Sequence, residues 1–177
     1  MTIKIKKIQR IAVAVKDLDA SIEKWKKMFG IEPFIYGIAE KEKYHWCAFE
    51  LGEGDCTIEF LSPWNDPKGE VLIGKFIRTR GEGIYMITLQ TAGTADETVD
   101  AMRELGIEPS WGSVAWKDIN LNASGDSAEM WQEHYIAPKD ANGVLIVLAT
   151  IKRKLTGVVK PPPEFRLPVA GTKKTKK

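Results

Sequence analysis

The chain has 177 residues, is 44% hydrophobic and carries 26 basic against 24 acidic residues, a net charge of +2. That length and apolar share suit one domain, or two small fused modules, able to bury a real core. The charge is uneven: residues 152–177 hold nine Lys or Arg against the single acid Glu164, a net of +8, which leaves a body of 17 basic and 23 acidic residues and argues against a nucleic-acid-binding domain.

The basic start, Met1 to Arg10, is followed by the apolar stretch Ile11 to Val15, too short for the apolar region of a signal peptide. Nothing approaches the roughly 18 apolar residues of a membrane span. The sequence is therefore read as a cytoplasmic protein with no membrane partner. Cys47 and Cys56 show no Cys-x-x-Cys spacing, so reduced, partly buried thiols are expected rather than a disulfide framework.

In chain order, an apolar strand is expected from Ile8 to Val15. A helix follows, with Asp17 as N-cap and an apolar stripe of Leu18, Ile22, Trp25 and Phe29 at spacings of four, three and four. Gly30 supplies a left-handed stop. Strand-like runs then span Tyr44 to Leu51 and Cys56 to Leu61, joined by a turn at residues 52–55, a hairpin pattern.

The second half repeats the first. Gly30-Ile31-Glu32-Pro33 recurs as Gly106-Ile107-Glu108-Pro109, an offset of 76 residues. A strand from Ile84 to Leu89 leads into Thr94-Ala95-Asp96-Glu97, a capping-box pattern, and a helix presenting Val99, Met102 and Leu105 before Gly106. Strands from Glu129 to Ile136 and Val144 to Ile151 follow, joined by a turn at Asp140-Ala141-Asn142-Gly143. The offset grows from 76 to 88, which places an inserted loop of about 12 residues within Ser110 to Ser127.

Two βαβββ units cannot each bury their sheet faces alone, so pairing is the economical solution. The expected fold is α+β: paired βαβββ modules forming one curved mixed sheet around a cleft, with helices outside. The domain spans residues 1–151, with module one at about 5–62 and module two at about 81–151. Residues 152–177 form a basic, Pro-rich tail containing Pro161-Pro162-Pro163, a composition that resists a packed core.

The run from Ile8 to Leu18 resembles the opening strand and helix cap of methylmalonyl-CoA epimerases. Gly74-Lys75-Phe76 with Arg80-Gly81-Glu82-Gly83-Ile84 resembles the start of their second half. Pro138-Lys139-Asp140 followed by Gly143-Val144-Leu145-Ile146 resembles their turn and closing strand. The resemblance covers roughly residues 6–150 and implies the vicinal-oxygen-chelate superfamily, which also holds glyoxalases, extradiol dioxygenases and antibiotic-binding proteins. Different chemistries share that scaffold.

The resemblance further implies a divalent metal held by a His on the first strand and a Glu or Gln on the last strand of each half. Those positions fall on Arg10, Glu59, Met86 and Val147. One surviving carboxylate cannot hold a catalytic ion that normally needs three or more protein ligands. No metal or other cofactor is therefore expected, unless a relocated site recruits His45 and His134 with Glu59 or Glu133.

Arg10 could grip a substrate carboxylate or phosphate in the metal's place, or fill the old site as an ion pair with Glu59. Glu59 could act as general base on a proton next to a carbonyl. Met86 and Val147 would give the substrate cleft an apolar floor, or be core. Trp111 and Trp116, in the suspected insertion, could stack on a ligand. Lys75 and Arg80 could attract an acyl-CoA phosphate or form a solvated edge.

The resulting expectation is a homodimeric, metal-independent isomerase or lyase acting on a small carboxylate, keto or acyl-CoA compound, with Glu59 catalytic and Arg10, Met86, Val147, Trp111 and Trp116 binding substrate. The alternatives are a non-catalytic binding protein with a Trp-lined cleft, or an accessory subunit.

Overall fold

The computed structural model describes residues 2–52, 56–121 and 127–154, with the side chains of 110–114, 116–120 and 154 outside the description. Module one consists of β1 (Ile5–Ala14), α1 (Leu18–Phe29), β2 (Ile35–Ala39), β3 (Tyr44–Leu51) and β4 (Cys56–Pro63). A connecting helix, α2 (Leu72–Arg80), leads to β5 (Gly83–Thr91), α3 (Ala95–Glu104), β6 (Ser110–Asn120), β7 (Ser127–Ile136) and β8 (Leu145–Lys154). The βαβββ order thus occurs twice.

All eight strands form one mixed sheet in the order β2-β3-β4-β1-β5-β8-β7-β6. β1 runs parallel to β4, and β5 parallel to β8. The modules join where β1 meets β5 antiparallel, with Arg10 opposite Thr88 and Ala12 opposite Met86. This register relates the halves by an approximate two-fold axis: Ala12 faces Glu59 in one half as Thr88 faces Val147 in the other. The sheet is strongly curved. Ile35 and Trp131, six strands apart in the order, line the same cavity, whereas a flat sheet would separate such strands by about 4.8 Å at each step.

The helix signals hold. Asp17 accepts a hydrogen bond from Ala20 N at 3.0 Å, and Gly30 takes φ 68° at the C-cap of α1, the left-handed region that favours glycine. Thr94 and Glu97 form the reciprocal capping box of α3. On the convex face Leu18 and Ile22 of α1, with Trp25 beside them, pack on Cys47, Phe49, Ile58 and Phe60. Met102 of α3 packs on Ile136 and Leu148.

Several expectations need correction. The apolar stripe of α3 does not include Leu105, which is 51% exposed, because the helix ends at Glu104 and Thr98 and Ala101 take the buried face instead. Residues 110–120 are not an inserted loop but the edge strand β6, longer than its module-one counterpart β2. β8 continues through Lys154, into the expected tail. The rest of that tail, residues 155–177, and residues 53–55 of the expected first hairpin turn lie outside the described residues.

Helix α2 is an element the periodicity did not reveal, and it lies on the concave side. Ile73, with Phe76 and Ile77 against it, joins Ala12, Ala14, Leu61, Met86, Leu145 and Val147 in one apolar cluster. Ala12 and Ala14 are too small to fill that end of the trough, so a helix closes it. The opposite end stays polar and holds the cavity.

Candidate active site

The site begins on β1. Arg10 and Glu59 come together as the strand positions require, since Ala12 lies opposite Glu59 in the β1–β4 register. Arg10 Nη1 donates to Glu59 Oε1 at 3.1 Å and to Oε2 at 3.2 Å. The Arg10 side chain is 20% exposed and that of Glu59 7%. The Arg10 guanidinium also lies 4.8 Å from the centroid of the Trp131 ring, within cation–π range.

β7 supplies the rest. Trp131, Glu133 and Tyr135 alternate along the strand and so share the concave face. Trp131 Nε1 donates to Glu133 Oε1 at 2.8 Å, and the Tyr135 hydroxyl donates to Glu133 Oε2 at 2.7 Å. A continuous polar chain therefore runs from Glu59 through Arg10 and the Trp131 ring to Glu133 and Tyr135. Two buried carboxylates flank one guanidinium.

The electrostatics follow from this crowding. Burial pushes the Glu59 carboxyl above its usual 4.5; Arg10 pulls it back, and Glu133 pushes it up again, with a net upward shift. Burial opposes the charge on Arg10, but Glu59 and Glu133 outweigh it and hold the guanidinium firmly protonated. Tyr44 and Tyr135 are also raised, by burial first and then by the carboxylates. Neither phenol ionises near neutrality.

Beside the pair lies a cavity of about 30 Å³ lined by Gln9, Arg10, Trp46, Thr57, Glu59 and Trp131, among others. That space holds about two water molecules or a group of carboxylate size. Two donors of Arg10, its Nη2 and Nε, have no partner among the described residues, leaving them available to a ligand oxygen.

Met86 and Val147 sit in the apolar cluster under α2 and do not line the cavity. Trp111 and Trp116 lie on β6, where Trp116 is the register partner of Trp131; their side chains are outside the described residues. Lys75 is exposed. Arg80 lies over Phe76 at 5.9 Å and donates to Gly143 O at 3.4 Å. Both cysteines are free.

His45 and His134 do not join the Arg10–Glu59 pair. Each falls on the opposite sheet face, since Tyr44 and Trp46 point into the trough on β3, as do Glu133 and Tyr135 on β7. Both histidines are held below their usual pKa by burial, against the pull of nearby acids, Asp19 and Asp17 for His45 and Asp96 and Glu133 for His134. Strand alternation thus removes the relocated metal site. At the four positions where the resemblance implies metal ligands stand a guanidinium, the carboxylate it occupies, a thioether and an isopropyl group. That donor set does not fit a divalent ion. Among the described residues no group of three or more His, Cys, Asp or Glu could hold one.

The sequence profile of the Glyoxalase/Bleomycin resistance protein/Dioxygenase superfamily matches residues 9–124. Among curated proteins none matches. Solved structures do. Methylmalonyl-CoA epimerase from Mycobacterium tuberculosis superposes with a TM-score of 0.63 at 22% identity, covering 85% of this chain and 91% of that one. Streptomyces coelicolor methylmalonyl-CoA epimerase, as a variant in complex with 2-nitronate-propionyl-CoA, gives 0.62 at 22% identity, covering 83% and 98%. A hypothetical protein from Bacillus halodurans C-125 gives 0.66 at 22% identity, covering 85% and 98%. At this identity the likeness shows a shared fold. With the profile matching more than half of its residues, the chain belongs to the Glyoxalase/Bleomycin resistance protein/Dioxygenase superfamily.

Proposed function

We propose that this protein is a metal-independent isomerase or lyase acting on a small carboxylate, keto or acyl-CoA compound, in which Arg10 binds the substrate oxygen and Glu59 moves a proton on the neighbouring carbon. The observation that carries this reading is the buried Arg10–Glu59 pair beside a cavity that holds a group of carboxylate size. A buried ion pair is a poor stabilising device by itself, since desolvation offsets most of its attraction. Its placement on the wall of a cavity supports a working role.

The chemistry follows from the charges. Removing a proton next to a carbonyl places negative charge on the carbonyl oxygen, and preorganised N–H donors stabilise that charge. Arg10 supplies such donors, fixed by Glu59 on one side and by Trp131 on the other. Glu59, raised above its usual 4.5, is a better base than an exposed carboxylate. Glu133, held by Trp131 and Tyr135, keeps the Trp131 ring in place against the guanidinium.

The test is deuterium exchange, followed by proton NMR, at the carbon next to the carbonyl of methylmalonyl-CoA and of small 2-oxo acids. The wild type should exchange at least one of them, and Glu59→Gln should abolish exchange while still binding. Equal exchange by Glu59→Gln removes the catalytic role from Glu59. One observation favours a second reading, a binding protein without chemistry: both oxygens of Glu59 already accept from Arg10. Tryptophan quenching by a ligand that never exchanges would support it.

A further inference from the structure

Gln9 is where the backbone departs from strand regularity. Between β1 and β5 the register steps from Ile8 opposite Leu89 to Arg10 opposite Thr88. Two residues advance on β1 for one on β5, so Gln9 is the extra residue of a β-bulge. Regular alternation would send Gln9 to the face opposite Arg10; a bulge re-aims the side chain. Both residues accordingly line the same cavity.

The Gln9 side chain is buried, at 2% exposure, yet its Oε1 has no hydrogen-bond partner. The neighbouring Thr57 hydroxyl does not serve it, because that hydroxyl donates to the Gln9 main-chain oxygen at 3.4 Å. A buried amide oxygen without a donor is costly, and native proteins rarely keep one without a use or a bound water. Oε1 is itself covered, and the last side-chain torsion of an amide is soft, so a half-turn would exchange its oxygen and nitrogen on the wall that Gln9 shares with Arg10.

We infer that Gln9 is a specificity-determining residue: the cavity takes a small carboxylate that carries a hydroxyl on the adjacent carbon, with Arg10 holding the carboxylate and Gln9 accepting from the hydroxyl. This rests on the carboxylate-binding role proposed for Arg10. A 2-hydroxy acid presents its anion and its donor on neighbouring atoms, and Arg10 and Gln9 present their complements on neighbouring residues. A carboxylate without the hydroxyl satisfies Arg10 and leaves Gln9 unmet.

The experiment is a fluorescence titration of the full chain, read through its tryptophans, with L-lactate, D-lactate and propionate. The wild type should bind one lactate about tenfold more tightly than propionate, the factor expected of one hydrogen bond to a buried acceptor. Gln9→Leu should bring that ratio close to one. It should also unfold no earlier on heating than the wild type, because it removes a buried polar atom that has no partner in the free protein. Gln9→Met gives the same comparison should Gln9→Leu fail to fold. Equal binding of lactate and propionate by the wild type, or a preference that survives in Gln9→Leu, overturns the inference and leaves Arg10 as an anion site. Binding of neither acid overturns it together with the carboxylate role of Arg10.

Discussion

Arg10 and Glu59 hold each other in an environment that neither would tolerate alone. Removing one leaves the other charge buried without its partner, whereas removing both leaves neither member of the pair unmatched, with Glu133 still held by Trp131 and Tyr135. Arg10→Met should therefore cost about 3 kcal/mol in urea unfolding, and Arg10→Met with Glu59→Leu should recover most of it. A double substitution as damaging as the sum of the singles would mean that the pair is not coupled. The titration of Glu59 provides a second check. Its carboxyl is raised above the usual 4.5 although Arg10 pulls it down, so Arg10→Met should raise it further, as read by carbon NMR of the side-chain carboxyl. A native pKa above the unfolded one means that the folded state binds the extra proton. The stabilisation from Glu59 is then fully present below 4.5 and is lost as pH rises through the native value.

The sequence made part of this residue scale legible. The resemblance to the epimerases implied the positions Arg10, Glu59, Met86 and Val147, and a one-residue slip would have put each on the wrong strand face. Glu133 was readable in principle: Trp131, Glu133 and Tyr135 at spacings of two put an acid among aromatics on one strand face. Gln9 was not, since period-two reasoning assigns it to the wrong face, and only the step in pairing between strands distant in sequence reveals the bulge.

Among the elements, those with local signals were legible and those defined by partners were not. Asp17, Gly30 and the capping box of Thr94 and Glu97 act within one turn of their own helices, so their residues declare them. β2 and β6 are the two edge strands; half-paired strands need less regular apolar patterning, and β6 reads as a loop because Gly112, Lys117 and Asp118 interrupt it. The convex packing under α1 is the firmest local structure. Trp25, Phe49 and Phe60 form a triangle of ring contacts with centroids 4.8 to 5.5 Å apart. Phe60 is 1% exposed at its centre, so Phe60→Ala should cost about 3–5 kcal/mol. Far-UV circular dichroism of the folded fraction should stay native, as the cavity would lie on the far side of the sheet from Arg10.

At the scale of the molecule, the modules share one sheet, and they meet along the hydrogen-bonded ladder between β1 and β5 and in the apolar cluster beneath α2. Neither half can unfold without breaking that ladder and exposing the trough that both line. Urea unfolding should be a single transition, with tryptophan fluorescence and far-UV circular dichroism giving the same midpoint; two separated midpoints would show that the halves are independent. Among the described residues no helix is long and apolar enough to cross a membrane.

The approximate two-fold axis passes between halves that have ceased to be equivalent. Where module one presents a guanidinium and a carboxylate, module two presents a thioether and an isopropyl group sealed beneath α2. A duplicated scaffold with equal ends could receive a ligand in either of two orientations. This one has a polar end and an end closed by α2, so the two ends of any molecule held in the trough would meet different surroundings.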